Sequence, residues 1–370
     1  MNRLTDQGVS VWLDDLSREA IVSEELSRLV EVGINGVTSN LAAFGNALKN
    51  PALYAVELQR FAKLGGSAVD VARAMLCADA RAACELFSSV YESSEGREGY
   101  VAIDVDPACA HDANRTIAEA EMLCWLVDRP NLMIAIPATQ NGLAAIRACL
   151  ARGINVNATL IFSLDRYRRV VGSFFDGLEA AGRAGKDVSR IASTASFPVS
   201  AIDTAVDGLI DTIDTEYLRP LRGHAALARA ISVYEEYERS LYSGRWLKLA
   251  SLGAAPQRIV WTSTNVDDPA YDATRYVQAL PAPGTISTVS AQTLYALHEH
   301  GEIREIPSVA GQYSHARTVF ARLATERVDF AHVTARLEHE ALTKSQQAWQ
   351  ALIEDIAQNL IRYPIEQRRA

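Results

Sequence analysis

The chain has 370 residues, of which 49% are hydrophobic and 22% are charged, a balance typical of a globular protein with a sizeable core. Its formal net charge of −9 argues against a nucleic-acid partner, because phosphate binding needs clustered Lys and Arg. No uninterrupted apolar run reaches the ~18 residues of a membrane span. We therefore expect a cytoplasmic protein without a membrane partner, in which the five cysteines are reduced and buried.

Short apolar runs alternate with stretches of helical periodicity along the whole chain. Strands are predicted at 9–15, 34–40, 100–106, 131–139, 154–162, 190–197, 258–263 and 284–289. Helices are predicted at 16–32, 52–90, 113–127, 141–152, 164–184, 201–250, 291–299, 314–324 and 344–361. Eight strands, each followed by helix, predict an α/β protein with one (β/α)8 TIM-barrel domain over residues 1–370 and extra helices after strands two, six and eight.

Polar side chains collect where the predicted strands end, which is where such a barrel builds its active site. Acidic residues end the first and third strands, and hydroxyl or amide groups end most of the others. The residues are Asp14, Asp15, Thr38, Ser39, Asn40, Asp104, Asp106, Thr139, Asn157, Thr159, Ser193, Thr194, Ser196, Thr262, Ser263, Thr264, Thr288 and Ser290. They suit a pocket for a small-molecule substrate. Asp15 and Asp106 fit helix N-caps equally well, and single hydroxyls can also cap helices.

Other kinds of site have little support in the sequence. No His-x-x-x-His pair or acidic triplet has metal-ligand spacing, so no metal is expected. No nucleophile elbow suggests a Ser-His-Asp triad. Among the histidines only His111 is placed to reach the mouth of the barrel, and a solvated or capping role is the favoured interpretation. No cofactor is expected either.

Several segments resemble the transaldolase family, in particular its longer bacterial form. The matching segments run through nearly the whole chain in family order. They are 11–18, 36–40, 105–107, 111–112, 125–131, 136–139, 155–164, 195–197 and 268–271. The resemblance implies a class I aldolase barrel in which a lysine on strand four forms a Schiff base with a ketose phosphate.

The chain departs from the family pattern at several positions. Where the resemblance implies Lys-Ile-Pro-x-Thr on strand four, the sequence has Ala135-Ile136-Pro137-Ala138-Thr139, so the Schiff-base lysine is missing. Ala201 stands where an arginine for the sugar phosphate is implied, and Asp267 lies where a cation is implied. The family's glutamate on strand three is shortened to Asp104, and Leu41 follows Asn40 where the family has proline. These changes together indicate an altered substrate.

Other positions of the family persist, and the resemblance assigns roles to them. It implies proton transfer by Asp14, binding of substrate hydroxyls by Asn40 and Asn157, and positioning of a water by Thr159. The candidate catalytic positions are therefore Asp14, Asp104, Thr159 and the vacant position Ala135. The candidate substrate-binding residues are Thr38, Ser39, Asn40, Thr139, Asn157, Ser196 and Ser263.

Three functions remain open at this point. We expect an enzyme repurposed for acid–base chemistry without an imine, such as dehydration, isomerisation, cyclisation or retro-aldol cleavage, on a non-phosphorylated carbonyl or polyol compound, with specialised metabolism as its natural setting. The first alternative is a transaldolase of the pentose phosphate pathway that carries a Lys-to-Ala change at 135. The second is a non-catalytic binding protein. A monomer or homodimer is expected in each case.

Overall fold

The computed structural model describes residues 7–41, 44–45, 51–266, 268, 270–299, 309 and 311–362. Eight parallel strands within them form a closed barrel in sequence order, and the last strand pairs with the first. The strands are β1 (Ser10–Leu13), β2 (Gly36–Thr38), β3 (Tyr100–Asp104), β4 (Leu132–Pro137), β5 (Val156–Thr159), β6 (Ser193–Pro198), β7 (Arg258–Thr262) and β8 (Ile286–Val289). The predicted α/β TIM barrel is confirmed.

Helices follow the strands and cover the outside of the barrel. In the described part of the chain they are α1 (Arg18–Val22), α2 (Glu25–Glu31), α3 (Ala55–Leu64), α4 (Ala68–Leu86), α5 (Ser88–Ser93), α6 (Ala113–Val127), α7 (Gln140–Ala151), α8 (Leu164–Arg183), α9 (Ser200–Ile213), α10 (Ala225–Leu241), α11 (Gly244–Ser251), α12 (Arg275–Ala279), α13 (Ala291–Glu299), α14 (Tyr313–Thr325) and α15 (Phe330–Arg362). The extra helices after β2, β6 and β8 lie where the sequence predicts them. No described helix is both long and apolar enough to cross a bilayer.

Three predicted helices have different bounds in the structure. The helix predicted at 16–32 is two helices, because Glu24 takes a left-handed conformation with φ of 62° between them. The helix predicted at 52–90 is interrupted after Gly65, whose φ of 70° ends α3, and Ser67 then caps α4. The last helix starts at Phe330 and not at residue 344. This earlier start places a further part of α15 against the barrel.

Alternation along the strands divides the barrel interior into an apolar lower layer and a polar upper layer. Trp12 belongs to the lower layer, where it packs with Tyr100, Ala102, Met133, Val260 and Ile286. Gly36 makes room for it, because a Cβ there would lie 2.7 Å from the Trp12 ring. Asp14 directly follows β1, two residues after Trp12. The layer that Trp12 fills therefore forms the base under a set of polar side chains.

Candidate active site

A cavity of about 460 Å³ opens at the carboxyl ends of the strands. Every predicted catalytic position lines it, and so do six of the seven predicted substrate-binding residues. The predicted residues in its wall are Asp14, Thr38, Ser39, Asn40, Asp104, Ala135, Asn157, Thr159, Ser196 and Ser263. The barrel brings them together because parallel strands end at one rim.

Ala135 lies in the floor of this cavity. In the strand register it pairs with Asp104 on one side and with Asn157 on the other. It is 5% exposed, and its methyl group faces open volume within the cavity. Position 135 is therefore flanked by a carboxyl group and a carboxamide, with space above it for a longer side chain.

Asp14 is the carboxyl group with the larger pKa shift in the cavity. Burial raises its pKa to about 7, and the nearby carboxylates of Asp15 and Asp104 act in the same direction. The Thr38 hydroxyl donates a 3.2 Å hydrogen bond to Oδ1 of Asp14, which opposes the shift. A carboxyl group with this pKa exchanges a proton near neutral pH, as a general acid or base requires.

Ser39, which directly follows β2, fixes the position of Asp104. The Ser39 hydroxyl donates to its Oδ2 at 3.0 Å, and the backbone N–H of Asp104 donates to the same hydroxyl at 3.2 Å. Burial raises its pKa to about 6, whereas the Ser39 hydrogen bond lowers it. Two carboxyl groups whose pKa values are both raised by burial, Asp14 and Asp104, thus share one cavity.

Asn157 has a defined orientation. Its Oδ1 accepts hydrogen bonds from Thr194 at 2.9 Å and from Ser196 at 2.7 Å. No side chain in the described part of the protein accepts from its Nδ2 group, although Asn157 is buried and lines the cavity. Its two amide hydrogens are therefore available to a hydroxyl or carbonyl oxygen of a ligand.

Some of the sequence candidates have structural roles outside the cavity. Thr139 caps α7: its Oγ1 accepts from the Gly142 amide at 2.9 Å and donates to the Ala110 carbonyl at 2.5 Å. The structure does not bring Thr139 into the cavity, so its substrate-binding assignment has no support from the geometry. Asp106 accepts from the backbone of Ala108 at 2.8 Å, as an N-cap does. Asp15 contacts the side chain of Asn40.

The sequence pattern does not predict the rim that α15 contributes. Leu337, Glu340, Ala341, Lys344, Ser345 and Ala348 of this helix line the cavity. Their spacing of three and four residues is the helical signal that could have indicated one face, but the polar composition of 331–343 concealed it. Within the described wall Lys344 is the single Lys or Arg, and Glu340 pairs with Arg336 at 3.6 Å. A cation is therefore present at the mouth, at a position other than those of Ala201 and Asp267.

Two of the noted family departures occupy different places. Ala201, at the start of α9, lines the cavity and supplies no charge there. Asp267 lies outside the described residues.

Two residues that line the cavity have a left-handed backbone. They are Ser263 after β7, with φ of 52°, and Leu160 after β5, with φ of 58°. Left-handed non-glycine residues cluster at functional sites, and both of these line the cavity.

Comparison with known proteins assigns the barrel to a family. The family model of transaldolase/fructose-6-phosphate aldolase matches residues 11–356. The chain belongs to the transaldolase family. It is similar to the transaldolase of Frankia alni, with 44% identity over 97% of both chains. It is also similar to transaldolase 1 of Streptomyces avermitilis, with 45% identity over 97% of this chain and 95% of the relative, and to the transaldolase of Thermobifida fusca, with 45% identity over 97% and 98%.

These relatives contradict the main functional expectation from the sequence. An enzyme repurposed for imine-free chemistry on a non-phosphorylated compound is the wrong prediction, because relatives that match nearly from end to end are transaldolases by name. Similarity along the remaining chain outweighs the departures at 135 and 201. Members of this family are enzymes that act on small molecules, and the alternative of a transaldolase with alanine at 135 fits better.

Proposed function

We propose that this chain has a transaldolase active site, built to transfer a three-carbon unit between sugar phosphates, in which position 135 carries alanine in place of lysine. The observation that supports this proposal is the register around Ala135: Asp104 and Asn157 flank it in an intact polar cavity. The family membership supplies the reaction class. The substrate pair that the family implies is sedoheptulose 7-phosphate with glyceraldehyde 3-phosphate.

The polar wall orients the sugar chain. The Nδ2 donors of Asn157 and the groups of Ser39 and Asn40 face the volume in which the hydroxyl and carbonyl oxygens would lie. The pairing of Asn157 Oδ1 with Thr194 and Ser196 keeps its donor side toward the ligand. Fixing a donor in this way lowers the reorganisation needed when charge develops on the substrate.

Asp14 is the group that we assign to proton transfer. In its ionised form it accepts the proton of the substrate hydroxyl as the carbon–carbon bond breaks, and it returns a proton in the reverse direction. Its pKa of about 7 keeps both forms populated at neutral pH. The carboxyl group of Asp104, bound by Ser39, lies on the opposite side of position 135 from Asn157.

Lys344 is the group that we assign to the substrate phosphate. It reaches the mouth of the cavity from α15 and has no ion pair in the described part of the chain. An ammonium group at the outer end of the cavity suits the terminal phosphate of a sugar whose carbonyl end lies near Ala135. This placement gives the substrate one direction of entry.

The missing part is the amine at 135. Alanine has no nucleophile, so it forms no imine with a ketose, and the imine is the electron sink for bond cleavage. We therefore expect the chain with Ala135 to bind sugar phosphates without appreciable turnover, and A135K to complete the site. We place the protein in the cytoplasm as a monomer or homodimer without a cofactor, and we assign residues 1–370 to one domain.

The decisive experiment is the gain of function by A135K. The assay supplies fructose 6-phosphate and erythrose 4-phosphate and measures sedoheptulose 7-phosphate, and borohydride reduction followed by mass spectrometry detects an adduct at residue 135. A135M is the matched control, because it fills similar space without an amine. Activity and trapping in A135K alone support the proposal. A folded A135K that neither turns over nor forms an adduct refutes it.

A further inference from the structure

A second cavity of about 810 Å³ lies outside the barrel, where α8, α10, α14 and the start of α15 meet. We call it the arginine pocket, defined by Arg166, Arg229 and Arg327 in its wall. It shares no lining residue with the cavity at the strand ends. The proposed function makes no use of it.

Arg229 is the central feature of the arginine pocket. Its guanidinium carbon lies 4.8 Å from the ring centre of Phe320 and 4.5 Å from that of Phe330. Its Nε is buried and has no hydrogen-bond partner, and no carboxylate pairs with it in the described part of the chain. Burial and the nearby Arg168 lower the pKa of Arg229 to about 10, which still leaves it charged at neutral pH. The two rings hold an unneutralised cation in a fixed place.

Arg166 adds a second unused donor to the same pocket. Its Nε and Nη2 donate to the carboxylate of Glu338 at 3.3 and 2.7 Å, but its Nη1 is buried without a partner. Arg327 lies in the turn between α14 and α15, and no ion pair engages its side chain in the described structure. Donors of at least two guanidinium groups are thus left without an acceptor around one cavity.

Two carboxylates of the pocket wall are paired with arginines. Glu338 pairs with Arg166, and Asp165 pairs with Arg169 at 3.0 Å. Asp329 accepts from the backbone N–H of His332 at 3.0 Å in the first turn of α15. Asp329 is exposed to solvent, so the buried charge that is left without an ionic partner in the described wall is that of Arg229. Since a buried cation is costly unless it is paired, the pocket is complementary to an anion.

We propose that the arginine pocket binds the phosphate group of a small phosphorylated metabolite at a site separate from the substrate cavity. Planar guanidinium groups bind phosphate oxygens through paired, charge-assisted hydrogen bonds, and a phosphate in this cavity would meet the guanidinium groups of Arg229 and Arg327. Thr334 and Glu338 of α15 line this pocket, whereas Leu337 and Lys344 of the same helix line the substrate cavity. A phosphate in the arginine pocket therefore ties α8 and α10 to the helix that forms the active-site rim.

The test is calorimetric titration of the full chain with inorganic phosphate, in wild type, R229M, K344M and the double variant. Methionine keeps a flexible apolar chain between the two phenyl rings and removes the charge. We expect K344M to retain phosphate binding, and R229M in the K344M background to weaken it by about tenfold or more, the loss of one charge-assisted contact.

Two results would overturn the proposal. One is loss of all phosphate binding in K344M, which would assign the affinity to the substrate cavity. The other is equal phosphate affinity in K344M and in the double variant, which would show that Arg229 only packs between the two rings. If R229M does not fold by circular dichroism, R327M replaces it, because Arg327 is exposed and its change leaves the aromatic packing intact. In the K344M background R327M must then weaken phosphate binding, and unchanged binding refutes the proposal.

Discussion

The active cavity has two parts with different origins. Its floor comes from the ends of the strands, where Asp14, Asp104, Ala135 and Asn157 are held by barrel register and by hydrogen bonds to neighbouring strands. Its rim comes from one face of α15, where Lys344 is exposed and unpaired in the described structure. Under the proposed function, proton transfer and substrate capture depend on these separate elements, so a change in one part should leave the other measurable.

The largest expected effect is on the floor. In the A135K background, D14N should lower kcat by about 10²–10⁴-fold, the usual contribution of a positioned acid or base. KM for fructose 6-phosphate should change little, because Lys344 and Asn157 remain. The measurement is steady-state kinetics from pH 5.5 to 9. The parent's kcat should rise with pH as Asp14 loses its proton, and D14N should lose that dependence. An unchanged kcat in D14N would remove Asp14 from the mechanism.

A stability measurement tests the burial of Asp14 without relying on catalysis. Its pKa is raised from 3.8 to about 7, so the folded state holds the proton more tightly than the unfolded state. The resulting stabilisation is complete below pH 3.8 and is lost as the pH rises through 7. D14N should therefore exceed the wild type in free energy of unfolding at pH 8 by on the order of 2 kcal/mol.

The control for this stability difference is the same pair of proteins at lower pH. The difference measured by urea unfolding should shrink between pH 8 and pH 5. A constant difference would show that burial does not determine the pKa of Asp14.

The rim should respond differently from the floor. In the A135K background, K344M should raise KM for fructose 6-phosphate by about tenfold, the loss of one charge-assisted contact to phosphate. It should leave kcat and the cleavage of unphosphorylated fructose nearly unchanged. K344R is the control, because it keeps the charge and should recover most of the affinity. An equal rise in KM for fructose and for fructose 6-phosphate would show that Lys344 does not bind the phosphate.

The smallest effect is expected just outside the cavity. T139A should lower the free energy of unfolding by about 1 kcal/mol through loss of the α7 cap. KM and kcat in the A135K background should stay within a factor of about two, because Thr139 does not line the cavity. T139S keeps the capping hydroxyl and should restore the stability. A large rise in KM for T139A would show that Thr139 contributes to substrate binding.

The barrel and most of the floor could be predicted from the sequence. Asp14 follows a short apolar run and Asn157 lies within another, and the ends of parallel strands meet at one rim. Thr139 follows the same pattern, yet it turns away to cap a helix, a choice that depends on the Ala110 carbonyl 29 residues earlier. Contacts of this kind decide the direction of a side chain at a strand end, and the apolar pattern of the strand does not encode them.

Single residues of this chain predict its function less reliably than the order of strands and helices predicts its fold. Ala135 and Ala201 suggested a reassigned pocket, although the chain resembles transaldolases along nearly its whole length. One missing nucleophile changes turnover by many orders of magnitude but leaves the hydroxyl-binding groups where they were. Similarity to transaldolases along nearly the whole chain therefore outweighs departures at a few positions.

The sequence by itself determined the order of strands and helices and the set of polar groups at the barrel's carboxyl rim, because local periodicity and strand chemistry specify both. Only the tertiary structure decided that Lys344 reaches the cavity and that Arg166 and Arg229, 63 residues apart, leave unused donors around a common pocket. These two outcomes depend on how long helices pack across the barrel, and that packing is set by contacts between residues far apart in the chain.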